Sequence, residues 1–178
     1  PAEFRVALHG VTSLVDKTTD DKRHYRLGQM LRDGLGTEAD LDRAAEYFAL
    51  AASAGNSNGQ YALAQLYLKH ANDPEKIRFA LDLLHQSAKT GNSKAEYALG
   101  KLYRDGMREY LEKDPLRAVD LLSRSAAKEN DFAAYALGKL YLSGEDLPQD
   151  TAKAVEWLGR SAELGNQFAQ YSLGKLYL

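Results

Sequence analysis

The sequence predicts an all-α fold, a solenoid of antiparallel helix pairs, and three observations carry the prediction. First, Tyr-Ala-Leu-Gly-Lys-Leu-Tyr occurs unchanged at residues 97–103 and 135–141, and with one substitution at 171–177. Its leading tyrosine recurs as Tyr25, Tyr61, Tyr97, Tyr135 and Tyr171, at spacings of 36, 36, 38 and 36 residues. A fixed period of this size marks a repeat array, in which each unit buries its apolar face only against its neighbours. Second, each unit carries two helical stripes. Ala95, Leu99, Leu102 and Tyr103 follow the i, i+4, i+7, i+8 spacing of one helix face. The second stripe runs from a small residue (Ala44, Ala80, Ala118, Ala154) to a bulky pair (Tyr47-Phe48, Leu83-Leu84, Leu121-Leu122, Trp157-Leu158). It closes on Ala52, Ala88, Ala126 and Ala162. Third, Gly55-Asn56, Gly91-Asn92 and Gly165-Asn166 end the second stripe, where glycine suits a left-handed C′ position and asparagine an N-cap.

Taken in order, residues 1–24 read as a degenerate helical cap. Phe4, Leu8, Val11 and Val15 fit i, i+4, i+7, i+11, although the alternation of Phe4, Val6 and Leu8 also allows a strand. Asp20 precedes Tyr25 as Asn56 precedes Tyr61. Four full helix pairs follow, at about 25–56, 57–92, 93–130 and 131–166, and a truncated fifth at 167–178. Helix B begins after Asp40, Asp114 and Asp150, all good N-caps. In repeat two Lys76 takes that place, and Asp73-Pro74 predicts a start about one turn earlier. Repeat three has two extra residues between its helices, around 108–113, and Glu129 where the others have the terminal glycine. Gly28, Gly100, Gly138 and Gly174 share one helix A position, held by Ala64 in repeat two. Glycine inside a helix costs about 1 kcal/mol against alanine, so its recurrence predicts a close helix contact. Repeat five has Leu173 and Leu176 with no helix B after them, a surface that another copy of the chain could cover.

Composition excludes several classes of function. The chain has 178 residues, is 44% hydrophobic and 27% charged, and carries a formal net charge of −2. It lacks the basic surplus that draws proteins to nucleic acid, and no apolar run approaches the roughly 20 residues of a membrane span. With no cysteine, disulfides and thiolate metal sites are excluded and the compartment stays open. Pro1 and Leu178, the latter part-way through a repeat, both read as cuts, which leaves localisation open.

The units resemble Sel-one-like repeats, a tetratricopeptide-related family of paired helices. Leu137-Gly138, Tyr141, Gly144, Asp150, Lys153-Ala154, Trp157, Ala162 and Gly165-Asn166 carry the resemblance in repeat four. Repeat one keeps both loop glycines, Gly34 and Gly36; repeat four has Asp146 for the second, and repeat two keeps neither. The resemblance implies a right-handed superhelix that serves as a scaffold for protein assembly, with helix A lining the concave side. Such arrays also look like those trailing the relaxase of bacterial mobile elements. The alternative is therefore an accessory repeat region of a larger multidomain protein whose activity lies outside these residues.

On a helical wheel, Tyr97 and Lys101 fall opposite the Leu99 stripe. Across the repeats this outer face forms columns: the five leading tyrosines; Gln29, Gln65, Lys101, Lys139 and Lys175; and Lys22, Asn58, Lys94, Phe132 and Phe168. The candidate partner-binding residues are Tyr61, Tyr97, Lys101, Phe132, Tyr135, Lys139, Phe168, Tyr171 and Lys175. Tyrosine rings beside amine donors suit an extended peptide or a partner helix bearing carboxylates. Equally, the tyrosines can pack between repeats while the lysines are solvated, which is the more economical account of a position repeated five times. The second tyrosine column, Tyr67, Tyr103, Tyr141 and Tyr177, lies on the core stripe, and Trp157 in a core slot. His9, His24, His70 and His85 share no metal-ligand spacing. Asp20-Asp21 and Glu145-Asp146 read as loop charges and caps. No phosphate-binding loop, nucleophile elbow or zinc-protease motif occurs, and Gly34-Leu35-Gly36 is too short to cradle a phosphate. The expectation is a non-enzymatic scaffold without cofactor that binds a protein or peptide, suited to an acidic one.

Overall fold

Asp40, Asp114 and Asp150 each accept a hydrogen bond from the backbone amide three residues on, Arg43, Arg117 and Lys153, at 2.9–3.0 Å. Those caps open three of the helices in the computed structural model, which describes residues 20–70 and 73–178. The described residues form nine helices: α1 Asp20–Asp33, α2 Leu41–Ser53, α3 Ser57–His70, α4 Pro74–Lys89, α5 Ser93–Asp105, α6 Pro115–Ala126, α7 Asp131–Ser143, α8 Thr151–Glu163 and α9 Gln167–Leu176. Two compact units divide the chain, residues 1–90 and 91–178. The first holds the pairs α1–α2 and α3–α4; the second holds α5–α6, α7–α8 and α9. Within each unit every helix packs on the next one in sequence. The fold class is an all-α helical-repeat solenoid. No helix among the described residues is long and apolar enough to cross a membrane.

Each pair closes on the shared glycine. A Cβ at Gly28 would lie 2.6 Å from the Phe48 ring, one at Gly100 2.9 Å from Leu122, and one at Gly138 2.6 Å from Leu158. These gaps are too short for any side chain, so helix B rests directly on the helix A backbone, as the recurrence of glycine predicts. Ala64 fills the same place in repeat two and is fully buried. Around this contact Leu27, Leu63, Leu99 and Leu137 of helix A meet Phe48, Leu84, Leu122 and Leu158 of helix B, and all eight are buried.

Polar ties hold the repeats in register. Asn56, Asn92, Asn130 and Asn166 each accept from the amide of the third residue beyond, at 2.9–3.2 Å. Two of them also reach back one repeat: the Asn56 amide donates to Asp21 and the Asn166 amide to Asp131, both at 2.9 Å. Ser87, Ser125 and Ser161 are fully buried and donate to the first carbonyl of their own helix A, on Ser57, Ser93 and Asp131, at 2.7–2.8 Å. A buried hydroxyl needs such a partner.

Several expectations are met and some are revised. Helix α4 starts at Pro74 with Asp73 as its cap, one turn early as predicted. The extra residues of repeat three form a tight turn around an isolated antiparallel bridge between Met107 and Leu111, with Arg108 at a φ of 41°. Glu129 adopts a φ of 61° where Gly55, Gly91 and Gly165 adopt 83–95°. Asp20 and Asp21, expected in a loop, form the first turn of α1, where carboxylates complement the helix dipole. Asp146, expected to be solvated, is partly buried and pairs with Lys113 at 2.6 Å. Tyr177 departs from its column: it is 74% exposed, against 6% for Tyr103, since among the described residues no helix B lies over it. The cap or strand expected at Phe4, Val6, Leu8, Val11 and Val15, and His9 with it, lie outside the described residues.

Candidate functional site

In the second unit the leading tyrosines Tyr97 and Tyr135 pack between repeats. Tyr97 of α5 tilts against Phe132 of α7, ring centroids 6.3 Å apart, and Tyr135 of α7 tilts against Phe168 of α9 at 6.0 Å. Such offset aromatic pairs are favourable beyond their buried area. Tyr97 also packs against a core cluster that joins Leu122 and Ala126 of repeat three to Ala133, Ala134, Ala136 and Leu137 of repeat four. Helical-wheel reasoning places this ring away from its own core; the structure packs it on a cluster shared by repeats three and four. The stacking account therefore holds for Tyr97 and Tyr135, which are half-buried.

Packing of this kind does not hide the surface. Phe132 stays 49% exposed, Phe168 63% and Tyr171 66%. Three lysines accompany them: Lys101 lies over the Tyr97 ring at 5.4 Å and Lys175 over Tyr171 at 4.8 Å, while Lys139 is exposed on α7 between them. Eight of the nine sequence candidates thus share the helix A surface of the second unit. The ninth, Tyr61, belongs to the first unit. It is half-buried near Tyr25 and Arg32, and burial is the main cause that pushes its phenol pKa up. Repeat two has Asn58 at the phenylalanine position, and Tyr25 pairs instead with Phe48 of its own repeat at 6.0 Å.

Beside Lys139 lies a polar cleft of about 240 Å³, lined by Arg104, Asp105, Lys113, Lys139, Glu145 and Asp146. Most of its charge is already matched. Arg104 holds Asp105 through two bonds of 2.6 and 2.8 Å, which keeps the Asp105 carboxyl below its usual pKa. Among the described residues, no group of three His, Cys, Asp or Glu is arranged to hold a metal ion. His24 packs on Tyr47, and His70 and His85 are exposed.

Sequence reasoning missed one charged centre. Glu96 is fully buried, with Arg124 2.8 Å from one carboxylate oxygen and Lys128 2.6 Å from the other. Lys128 also donates to the Gly91 carbonyl at 2.8 Å. Glu96 escaped notice because its position varies between repeats, reading His24, Gln60, Glu96, Ala134 and Gln170. Its partner position varies with it. Gln60 meets Gln86 at 3.4 Å in repeat two, Glu96 meets Arg124 in repeat three, and beside Ala134 the equivalent Arg160 lies over Trp157 at 5.7 Å. The usable signal was the matched pair, legible only once both helices are aligned across repeats.

Comparison with known proteins agrees with this architecture. The family model described as Sel1 repeat matches residues 24–56, 57–92, 93–130 and 131–166. No curated protein matches. Among solved structures, a Sel1 repeat protein from Oxalobacter formigenes superposes with a TM-score of 0.82 and 25% identity, over 90% of this chain and 64% of that one. A protective antigen present in uropathogenic Escherichia coli strains, displaying an SLR fold, superposes with a TM-score of 0.81 and 31% identity, over 90% of this chain and 34% of that one. Helicobacter pylori cysteine rich protein B shares the fold at a TM-score of 0.56 and 18% identity, over 74% of this chain and 92% of that one. The chain therefore spans less than two thirds of the length of the first two.

Proposed function

Because the chain belongs to the Sel1 repeat family, whose members are protein-interaction scaffolds, we propose that it is a non-enzymatic scaffold that binds a protein or peptide on the helix A surface of its second unit. The observation that carries this reading is the exposure of Phe132, Phe168 and Tyr171 beside Lys101, Lys139 and Lys175. Exposed aromatic edges supply desolvation energy, and the lysines select a partner with carboxylates. Five carboxylates support a non-catalytic reading: Asp114 and Asp150 cap helices, and Glu96, Asp105 and Asp146 are held in ion pairs.

A displayed random-peptide library selected on the chain tests the proposal. Enriched sequences should combine apolar residues with Asp or Glu. They should lose binding to a Lys101→Glu, Lys139→Glu, Lys175→Glu variant of unchanged helicity. Basic or charge-indifferent sequences, or full binding to that variant, defeat it. The length of the first two relatives fits a second reading, in which the chain is part of a larger protein; an accessory array of a mobilisation relaxase would be one such case. The full reading frame tests it: a frame made only of repeats rules it out.

A further inference from the structure

The three lysines on the helix A surface of the second unit are not alike. Lys101 lies over the Tyr97 ring and Lys175 over Tyr171. Lys139 instead lines the polar cleft where repeats three and four meet, and Glu145 lines it too. Among the described residues, Lys139 pairs with no ring or carboxylate and Glu145 with no cation. The other four charged side chains of the cleft cancel in pairs. Arg104 holds Asp105 through two bonds, and Lys113 reaches from the repeat-three loop to Asp146 of repeat four at 2.6 Å. The second pair ties the two loops together, so the walls are set before any ligand arrives. Repetition does not explain the arrangement. Lys113 belongs to the extra residues of repeat three, and Glu145-Asp146 stands where repeat one has Leu35-Gly36. Lys139 stands where repeats one and two have Gln29 and Gln65. Stacking accounts for side chains that recur in every repeat, and it makes no demand for these.

We propose that this cleft is a bipolar subsite for a partner peptide, in which Lys139 receives an Asp or Glu carboxylate and Glu145 the Lys or Arg next to it. The assignment rests on the reading of the chain as a peptide-binding scaffold and narrows it: the preferred segment carries neighbouring opposite charges rather than acid alone. Such a segment satisfies both unmatched groups and leaves the wall pairs intact, whereas a like charge at either point is repelled. A cleft of about 240 Å³ takes the ends of two side chains from an extended segment. It is too small for a helix, which is about 10 Å across.

The test is an NMR titration of the isotope-labelled 178-residue chain with two blocked dipeptides, acetyl-Asp-Arg-amide and acetyl-Arg-Asp-amide. At least one order should shift the amide signals of Gly144, Glu145 and Asp146 saturably. Replacing its Asp by Asn, or its Arg by Gln, should weaken binding about fivefold in each case, the scale of one exposed ion pair. In the chain, Lys139→Gln should erase the preference for Asp over Asn and keep that for Arg over Gln. Glu145→Gln should do the reverse, and Lys101→Gln should change neither. Lys139 and Glu145 are exposed, so the rest of the spectrum should stay in place. No saturable shift at the cleft with either order, or preferences that survive Lys139→Gln and Glu145→Gln, overturns the proposal. The titration fails separately from the scaffold reading. A library that selects acidic segments, with no dipeptide in the cleft, defeats the subsite alone. Dipeptide binding beside a charge-indifferent library keeps the subsite and defeats the wider surface.

Discussion

Glu96 Oε2 lies 2.6 Å from Lys128 Nζ, and the carboxylate is fully shielded from water while the lysine is 41% exposed. This asymmetry decides what each substitution costs. Removing Glu96 leaves Arg124 and Lys128 free to turn into solvent. Removing both cations strands a buried charge, which destabilises by about 3–5 kcal/mol. The double variant Arg124→Ala, Lys128→Ala should therefore lower the urea midpoint more than Glu96→Gln does. The reverse order would mean that Arg124 and Lys128 do not compensate the buried carboxylate.

The helix A glycines are not equivalent. Gly138→Ala places a methyl 2.6 Å from Leu158 and 3.2 Å from the Ala154 carbonyl, and overpacking of this kind costs about 1–3 kcal/mol. Gly174→Ala meets open space and should stabilise α9 by about 1 kcal/mol. Thermal melts should move in opposite directions for the two substitutions.

Glu129 occupies a left-handed position at a φ of 61°. A non-glycine residue there costs about 1–2 kcal/mol. Glu129→Gly should raise the unfolding free energy by about 1 kcal/mol, visible as a higher denaturant midpoint with an unchanged slope.

Acid should loosen one tie between repeats and one helix cap. The Asn56 side-chain amide holds the Asp21 carboxyl below its usual pKa, and the Lys153 backbone amide does the same for Asp150. A carboxyl whose folded pKa lies below its unfolded value, about 3.9 for aspartate, stabilises the fold fully above that value. The contribution is lost as pH falls below it toward the folded pKa. Asn56→Ala should flatten this acid dependence, read as the urea midpoint between about pH 5 and pH 2.

The fold was legible because its determinants are local and repeated. Period, stripe and cap each appear several times in phase, so the glycine notch at Gly100 and the early start of α4 at Pro74 could be read from residue types alone. The surface was only partly legible. A helical wheel separates Tyr97 from Leu99 on one helix, but it contains no neighbouring repeat. Phe132, 35 residues away, packs on the half-buried Tyr97 ring and keeps an exposed aromatic edge of its own. Glu96 was overlooked for the opposite reason: its position does not repeat, and only the matched pair on the two helices marks it.

By itself the sequence determined the all-α repeat class, the helix pairs and the close approach at each glycine, because those follow from short-range spacing and backbone conformation. The tertiary structure alone decided which outward residues are solvated and where a buried carboxylate finds two cations. Those outcomes depend on side chains from different helices meeting across distance, and burial is a property of the assembled set.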